Sequence, residues 1–260
     1  MNVRPGLEIA SLTDVGCQRD NNEDSYSYWE SDDNAVFERL GRLAVVADGM
    51  GGCEGGQHAS RIAVETVLET YARADSAGNP QLRLDNAFAE ANHRVQQQAL
   101  ENPILKGMGT TLTAFALVAD HLYYAHVGDS RLYLFRSREL RLLTHDHSLV
   151  ARLVENGLVR REDAENHPQK HILTAAVGVS DAIRPDVPGE PLTVSSGDVL
   201  LLCTDGLWGQ MSQNEMAGVL GSKSPKDACN ALVELAKKRG GPDNITLQML
   251  RASNGSAVKT

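Results

Sequence analysis

The sequence predicts an α+β fold on three observations. Apolar, strand-like runs cluster instead of alternating strictly with helices, the densest cluster (residues 110 to 143) has no room for a helix, and helical periodicity is confined to separated stretches. Residues 7 to 13 and 43 to 47 read as strands, and Val64, Val67, Leu68 and Tyr71 then fall at the i, i+3, i+4, i+7 spacing of an amphipathic helix. The polar stretch ADSAGNPQ at 74 to 81 breaks the chain, and Leu84, Phe88, Ala91 and Val95 begin a second helix. From Thr110 to Leu143 short β-prone runs follow one another, divided by AD, GDSR and RSRE, which suggests an antiparallel meander. Residues 146 to 190 are irregular, charged and proline-bearing, with a short helix near Leu149 to Asn156, and read as an inserted flap. Val199 to Cys203 is a buried strand, Cys229, Leu232, Val233 and Ala236 mark a helix opened by Pro225, and Ile245 to Leu250 is the last strand. The tail from 252 to 260 is small and polar, with the composition of a frayed end. Neither an internal repeat nor a linker interrupts this series, so a single domain over 1–260 is expected.

Composition narrows the function classes. With 42% hydrophobic and 23% charged residues the chain has the makeup of a globular protein, not a disordered one. The formal net charge of −9, with no block of lysine or arginine, argues against a nucleic-acid partner. No apolar run approaches the length of a membrane span and MNVRPGLEIASLTDVG lacks the apolar core of a signal peptide, so a cytoplasmic protein without a membrane partner is expected. Cys17, Cys53, Cys203 and Cys229 lack the paired spacing of zinc or redox motifs and read as reduced thiols, Cys203 and Cys229 as core packing.

The chemistry-bearing pattern is an acid where an apolar strand meets a glycine- or proline-rich loop. It occurs at Asp48 in VVADGMGG, at Asp205 in LLLCTDGLW, and at Asp243 in GGPDNITLQ. A single Asp-Gly is most often a tight turn. Acids gathered at one rim of a sheet, however, would repel one another unless a cation neutralised them, and oxygen ligands are what Mg²⁺ and Mn²⁺ prefer. Gly49, without a side chain, can bring its backbone carbonyl close to such an ion, and Asp48 can bridge two. Two ions about 3.5–4 Å apart activate water and clamp a transferring phosphoryl group, which points to phosphoester hydrolysis. Arg19 in CQRDNNEDSY is the candidate phosphate clamp, since guanidinium binds phosphate through two parallel hydrogen bonds, although a surface ion pair is an equal reading. Glu23 and Asp24 can hold metal-bound waters, and Asp24 can equally cap a turn.

Taken in order, RDNNEDS, VVADGMGG, GMGTTLTA, AHVGDSRLYLF, LTHDHSLV, ILTAAVG, GDVLLLCTDGLWGQMS and GPDNITLQ make the chain resemble the metal-dependent protein serine/threonine phosphatases of the type 2C family, in their compact bacterial form. The resemblance implies a central antiparallel β-sandwich flanked by helices, a four-layer αββα arrangement with the flap beside it. It implies two core Mn²⁺ or Mg²⁺ ions and hydrolysis of phosphoserine and phosphothreonine in phosphorylated proteins by a hydroxide bridging the ions. It makes Asp48, Asp205 and Asp243 core metal ligands with the Gly49 carbonyl, Arg19 the phosphate clamp, Asp129 a ligand of a third ion, and Asn244 a residue that steadies the waters. On residue chemistry alone, Asp129 in GDSR and Asn244 before a strand are also serviceable turn residues. His145 and His147 in THDHS, at i, i+2, read as polar packing or supporting groups, not ligands. A monomer acting opposite a serine/threonine kinase is expected.

Two positions depart from the family pattern. Met50 stands where many eukaryotic members have a histidine thought to protonate the leaving alkoxide, and Ala175 stands where bacterial relatives often have arginine. The rival readings are a pseudophosphatase that binds phosphoproteins without turnover, which would most simply lack the metal acids, and a nucleotide-binding enzyme. GMGGCEGG lacks the lysine and Ser/Thr of G-x-x-x-x-G-K-[ST], which discounts the last.

Overall fold

Period-two alternation in the strands builds the molecule from three apolar layers. In β3 (Arg42–Met50), Leu43, Val45 and Ala47 face one way and Ala44 and Val46 the other, all fully buried. In β10 (Val199–Cys203), Val199, Leu201 and Cys203 alternate likewise with Leu200 and Leu202. A strand buried on both faces must be covered on both, and two sheets with helices outside them do this. The computed structural model describes residues 4–51, 54–73, 79–164, 167–179 and 181–253.

One sheet has the order β1 (Leu7–Asp14), β11 (Ile245–Ala252), β10, β7 (Arg131–Arg136), β8 (Glu139–Leu142). The other runs β2 (Asp24–Glu30), β3, β5 (Leu112–Val118), β6 (His121–Val127), β9 (Leu192–Thr193), with β4 (Gly109–Thr110) paired to the end of β3. Every pairing is antiparallel. Between the sheets lie Ala44, Val46, Phe115, Leu132, Leu200 and Leu250. Truncating one such residue, Leu200→Ala for instance, is expected to cost about 2–5 kcal/mol.

Outside the second sheet pack α2 (Gly55–Ala72) and α3 (Pro80–Glu101), the latter opened by the Asn79 cap and Pro80. Outside the first pack α7 (Gln213–Leu220) and α8 (Pro225–Lys238), which buries Ala228, Cys229, Leu232, Val233 and Ala236 along one face. The observed layers are helix, sheet, sheet, helix. Cys203 and Cys229 are packed in the core as expected and Cys17 is exposed, whereas Cys53 lies outside the described residues.

Three local readings need correction, and several elements were not read. The stretch from 110 to 143 is not one meander: β5–β6 and β7–β8 are hairpins in different sheets, and the chain changes sheet at Gly128–Ser130. The second helix starts at Pro80, a full turn before Leu84. The last strand reaches Ala252, and the Ser253 N–H still donates to the Gly6 carbonyl, so the tail read as frayed starts too early; 254–260 lie outside the described residues. Strand β2, helix α1 (Asn34–Leu40), the short α6 (Asp205–Trp208), and α7 had no reading at all. The segment from 146 to 190 carries α4 (Leu149–Glu155) and α5 (Arg161–Ala164), is closed on itself by the bridge Ser148–Leu173, and is pinned to the rest by the bridges Thr110–Val177 and His126–Asp186. Among the described residues no helix is long and apolar enough to cross a membrane.

Candidate metal centre and active site

The acids singled out in the sequence arrive from separate elements at one end of the sandwich. Asp48 lies in β3 directly opposite Asp24 of β2. Its backbone is held from the far side: its carbonyl accepts from the Thr111 N–H (2.8 Å) and the Thr110 hydroxyl (2.8 Å), and its N–H donates to Thr111 Oγ1 (2.9 Å). Asp205 opens α6 after β10, Asp243 precedes β11, and Asp129 sits at the crossing between sheets. Neither Asp-Gly is a hairpin turn, since Asp48-Gly49 is strand and Asp205-Gly206 begins a helix. The glycines are required by close packing: a Cβ on Gly49 would lie 2.1 Å from the Gly56 carbonyl oxygen, and one on Gly206 2.0 Å from that of Asn244.

A cleft of about 820 Å³ is lined by Arg19, Glu23, Asp48, Gly49, Asp129, Asp205, Asp243 and Asn244. Asp24 is buried beneath it, its Oδ2 accepting from the Thr204 hydroxyl at 2.9 Å while Oδ1 has no partner. Burial, compounded by the charges of Asp24, Asp205, Asp129 and Asp243, pushes the Asp48 carboxyl well above the usual carboxylate range. Burial raises Asp129 likewise, with Asp205 and Asp146 adding to it and Arg131 opposing, and raises Asp24 to about 7. Burial also lifts Glu23, against the pull of Arg19.

These features fit divalent cations. The donors are oxygens, Asp205 Oδ1 is buried without a hydrogen-bond partner, and Asp48 sits among like charges whose repulsion a cation would remove. The acids are not gathered as closely as the sequence suggests. Among the described residues no three carboxylate, imidazole or thiol groups stand ready around a single cation position. Asp243 has both oxygens engaged, Oδ2 by Arg19 at 2.8 Å and Oδ1 by the Asn244 N–H at 2.8 Å. Arg19 is therefore ion-paired, but to a site acid at the cleft wall and not elsewhere on the surface. Burial by itself would lower the Arg19 pKa, and the Asp243 carboxylate raises it overall.

Asn244 is neither a plain turn residue nor exposed. Its Nδ2 donates to the Val15 and Asn21 carbonyls (2.9 Å each) and its Oδ1 accepts the Glu23 N–H (2.8 Å), fastening the loop that carries Arg19 to the start of β11. The Glu23 carbonyl in turn accepts from the Gly49 N–H (3.2 Å) and the Ser60 hydroxyl (2.6 Å). Asp24 is a buried strand residue and caps no turn. His145 and His147 stay out of the cleft lining, pairing with Glu155 (3.0 Å) and Asp186 (3.2 Å). Met50 lines the cleft and offers no proton, while Ala175 packs against the helix-side core.

The sequence reading missed several contributors. Thr110 and Thr111 hold Asp48, and GMGTTLTA gave only their place in a motif. The Trp208 indole N–H donates to the Asp129 carbonyl at 3.0 Å. His171, from the irregular segment, lies in the cleft with its Nδ1 3.6 Å from Asp205 Oδ2, and nothing in the irregular stretch HPQKHIL marks it out.

Comparison with known proteins agrees with this architecture. Residues 18–234 match the family described as Protein phosphatase 2C. The chain is 36% identical over 255 residues to Protein phosphatase PhpP of Streptococcus pneumoniae, covering 96% of this chain and 100% of that one. A Streptococcus agalactiae serine/threonine phosphatase superposes with a TM-score of 0.86 at 35% identity, covering 95% and 100%. The catalytic domain of the serine/threonine protein phosphatase PstP, solved in complex with two manganese ions, superposes with a TM-score of 0.82 at 31% identity, covering 95% and 99%. In sequence and in fold alike, the chain belongs to the protein phosphatase 2C family of serine/threonine phosphatases.

Proposed function

We propose that the chain hydrolyses phosphoserine and phosphothreonine in protein substrates at the acidic cleft. In this reading Asp48, the Gly49 carbonyl, Asp205 and Asp243 hold two manganese or magnesium ions, and Asp129 offers a place for a third. The observation that carries it is the set of part-buried to buried, mutually repelling carboxylates facing one arginine in one cleft. The two manganese ions of the related PstP domain support a divalent metal. When bound, such ions neutralise the acids, offset charge on the phosphoryl oxygens and make water a nucleophile at neutral pH.

The chain's own residues supply position and charge. Asp243 and Arg19 neutralise each other here; with a cation on the acid side the guanidinium is free to take two phosphoryl oxygens. Asn244 and the Glu23 backbone keep the Arg19 loop in register with β3 and β11. Position 50 contributes no proton to the leaving alkoxide, because a thioether has none. Residues 1–260 act in this reading as one phosphatase domain with the flap at 146–190 beside the cleft. The free thiols Cys17, Cys203 and Cys229 fit a reducing cytoplasm, where a monomer would oppose a serine/threonine kinase. Intact acids favour turnover over phosphoprotein binding without it. Phosphate release from a phosphothreonine peptide with Mn²⁺, abolished by EDTA, is the expected result; no release with either Mn²⁺ or Mg²⁺ overturns the reading.

A further inference from the structure

Beside the cleft, between α4 and the turn joining α6 to α7, lies a second cavity of about 310 Å³. It shares Lys170, Trp208, Gly209 and Gln210 with the cleft, so a chain leaving the cleft across Trp208 enters it directly. Its wall is partly apolar, with Val150 and Met211 buried behind it. That volume suits one side chain and is at the low end for a whole ligand.

Its charge is opposite to that of the cleft. The cleft is lined by Asp20, Glu23, Asp48, Asp129, Asp205 and Asp243 against Arg19 and the shared Lys170, whereas the cavity has Arg131, Lys170 and Arg239 against Asp146 alone. Arg131 is neutralised by a two-pronged bond to Asp146 (2.9 and 2.6 Å) and stacked over the Trp208 ring at 3.5 Å. Arg239 is tied to the Gln210 carbonyl at 2.6 Å and to Glu215. Lys170 makes no ion pair among the described residues and stands where the two cavities meet. In a protein of net charge −9, a positive recess joined to an acidic cleft selects by sign.

We propose that this cavity is a subsite for an acidic side chain of the phosphoprotein substrate, close in sequence to the phosphorylated residue, with Lys170 taking the carboxylate and the Val150–Met211 wall its methylenes. The proposal rests on the phosphatase reading and extends it to substrate choice. It is tested with phosphothreonine peptides in which Glu, Ala or Lys is walked through the flanking positions, measuring kcat/KM with Mn²⁺ beside turnover of a small aryl phosphate.

At one or two adjacent positions Glu is expected to exceed Ala by about threefold to fivefold, the upper range for a part-exposed ion pair, and Lys to fall below Ala. The preference should vanish in Lys170→Ala, persist in Lys170→Arg, invert in Lys170→Glu and shrink at high salt. Because each preference is a ratio within one variant, a loss of folded protein does not mimic it. Aryl phosphate turnover without any positional preference, or a preference that survives Lys170→Ala, overturns the subsite alone. No turnover of any substrate by the unaltered protein overturns the phosphatase reading and the subsite with it.

Discussion

Two buried polar clusters meet at the crossing Gly128–Ser130, and they are built on opposite terms. On one side His126 is fully buried and satisfied: its Nε2–H donates to the His145 carbonyl at 3.0 Å, which leaves Nδ1 to accept the Thr113 hydroxyl at 2.8 Å. His147 completes that side, accepting the Gly128 N–H at 3.3 Å and pairing with Asp186 at 3.2 Å. On the other side Asp129 and Asp24 are buried and Asp48 partly so, but Asp24 Oδ1 and the nearby Asp205 Oδ1 have no partner and the carboxylates press on one another. A buried polar group normally finds its hydrogen bond within the protein. The cluster that does so is scaffold; the cluster that does not is shaped for something the chain itself lacks. Burial alone therefore does not tell these two clusters apart, and missing partners combined with crowded like charge do.

The largest effect should come from removing the centre of the unsatisfied cluster. Asp48→Asn is expected to lower Mn²⁺-dependent turnover by on the order of 10²–10³-fold or more, taking the loss of one transition-state donor as a floor. Its metal-free form should be at least as stable as the unaltered protein, because a carboxylate crowded by like charges is gone. A metal-free melting temperature that falls as it would for a core truncation would place Asp48 with the scaffold instead.

Next in size is Arg19→Ala. A charge-assisted bond to phosphate contributes about 1.5–3 kcal/mol, so kcat/KM on a phosphopeptide should fall about 10–100-fold, largely through KM. An unchanged KM would mean that the guanidinium serves only the Asp243 carboxylate it contacts here.

The satisfied cluster should answer in stability, not rate. Thr113→Val leaves the His126 Nδ1 without its donor, at an expected cost of about 1–3 kcal/mol in chemical unfolding, with kcat of the folded fraction close to unaltered. A large fall in kcat at unchanged stability would show that the histidine side of the crossing belongs to the catalytic apparatus.

The two clusters also differ in how readable they are from sequence. Asp48 and Asp205 announce themselves because an apolar strand that stops at an acid is locally odd. The layered core is readable for a similar reason, the two-residue alternation in β3 and β10 being local. His126 gives no such signal, since its burial depends on Thr113 from another strand and on the carbonyl of His145, just before the flap. The sheet change at Gly128–Ser130 is hidden likewise, because a hairpin and a crossover use the same turn residues. β2 escapes because Ser25, Tyr26, Ser27 and Tyr28 give little apolar contrast, and α1 because it is one short helix with a single buried residue, Leu40. Gly49 stands out in the sequence through its place after Asp48, but the backbone of Gly56 against it is visible only once β3 and α2 are packed.

The smallest expected effect is a difference in the pH dependence of stability, and its sign separates the clusters. Burial, with the neighbouring His147 adding to it, holds His126 down to about 3 from an ordinary value of 6.5. Between those values the unfolded chain binds a proton that the native state refuses, so this residue makes stability fall as pH drops below 6.5. Asp24 has the opposite sense: raised by burial to about 7 from 3.8, it holds in the metal-free native state a proton that the unfolded chain has released, so its contribution is lost as pH rises through that window. In metal-free protein the two trends oppose each other. The histidine share is isolated by comparing the unaltered protein with His126→Gln under identical conditions. Between pH 6.5 and 5 the unaltered protein should lose roughly 1–2 kcal/mol more than the variant, from a limiting slope of about 1.4 kcal/mol per pH unit. Parallel stability–pH curves for the two proteins would mean that the His126 ring gains its proton without unfolding, and that the satisfied cluster is looser than its hydrogen bonds imply.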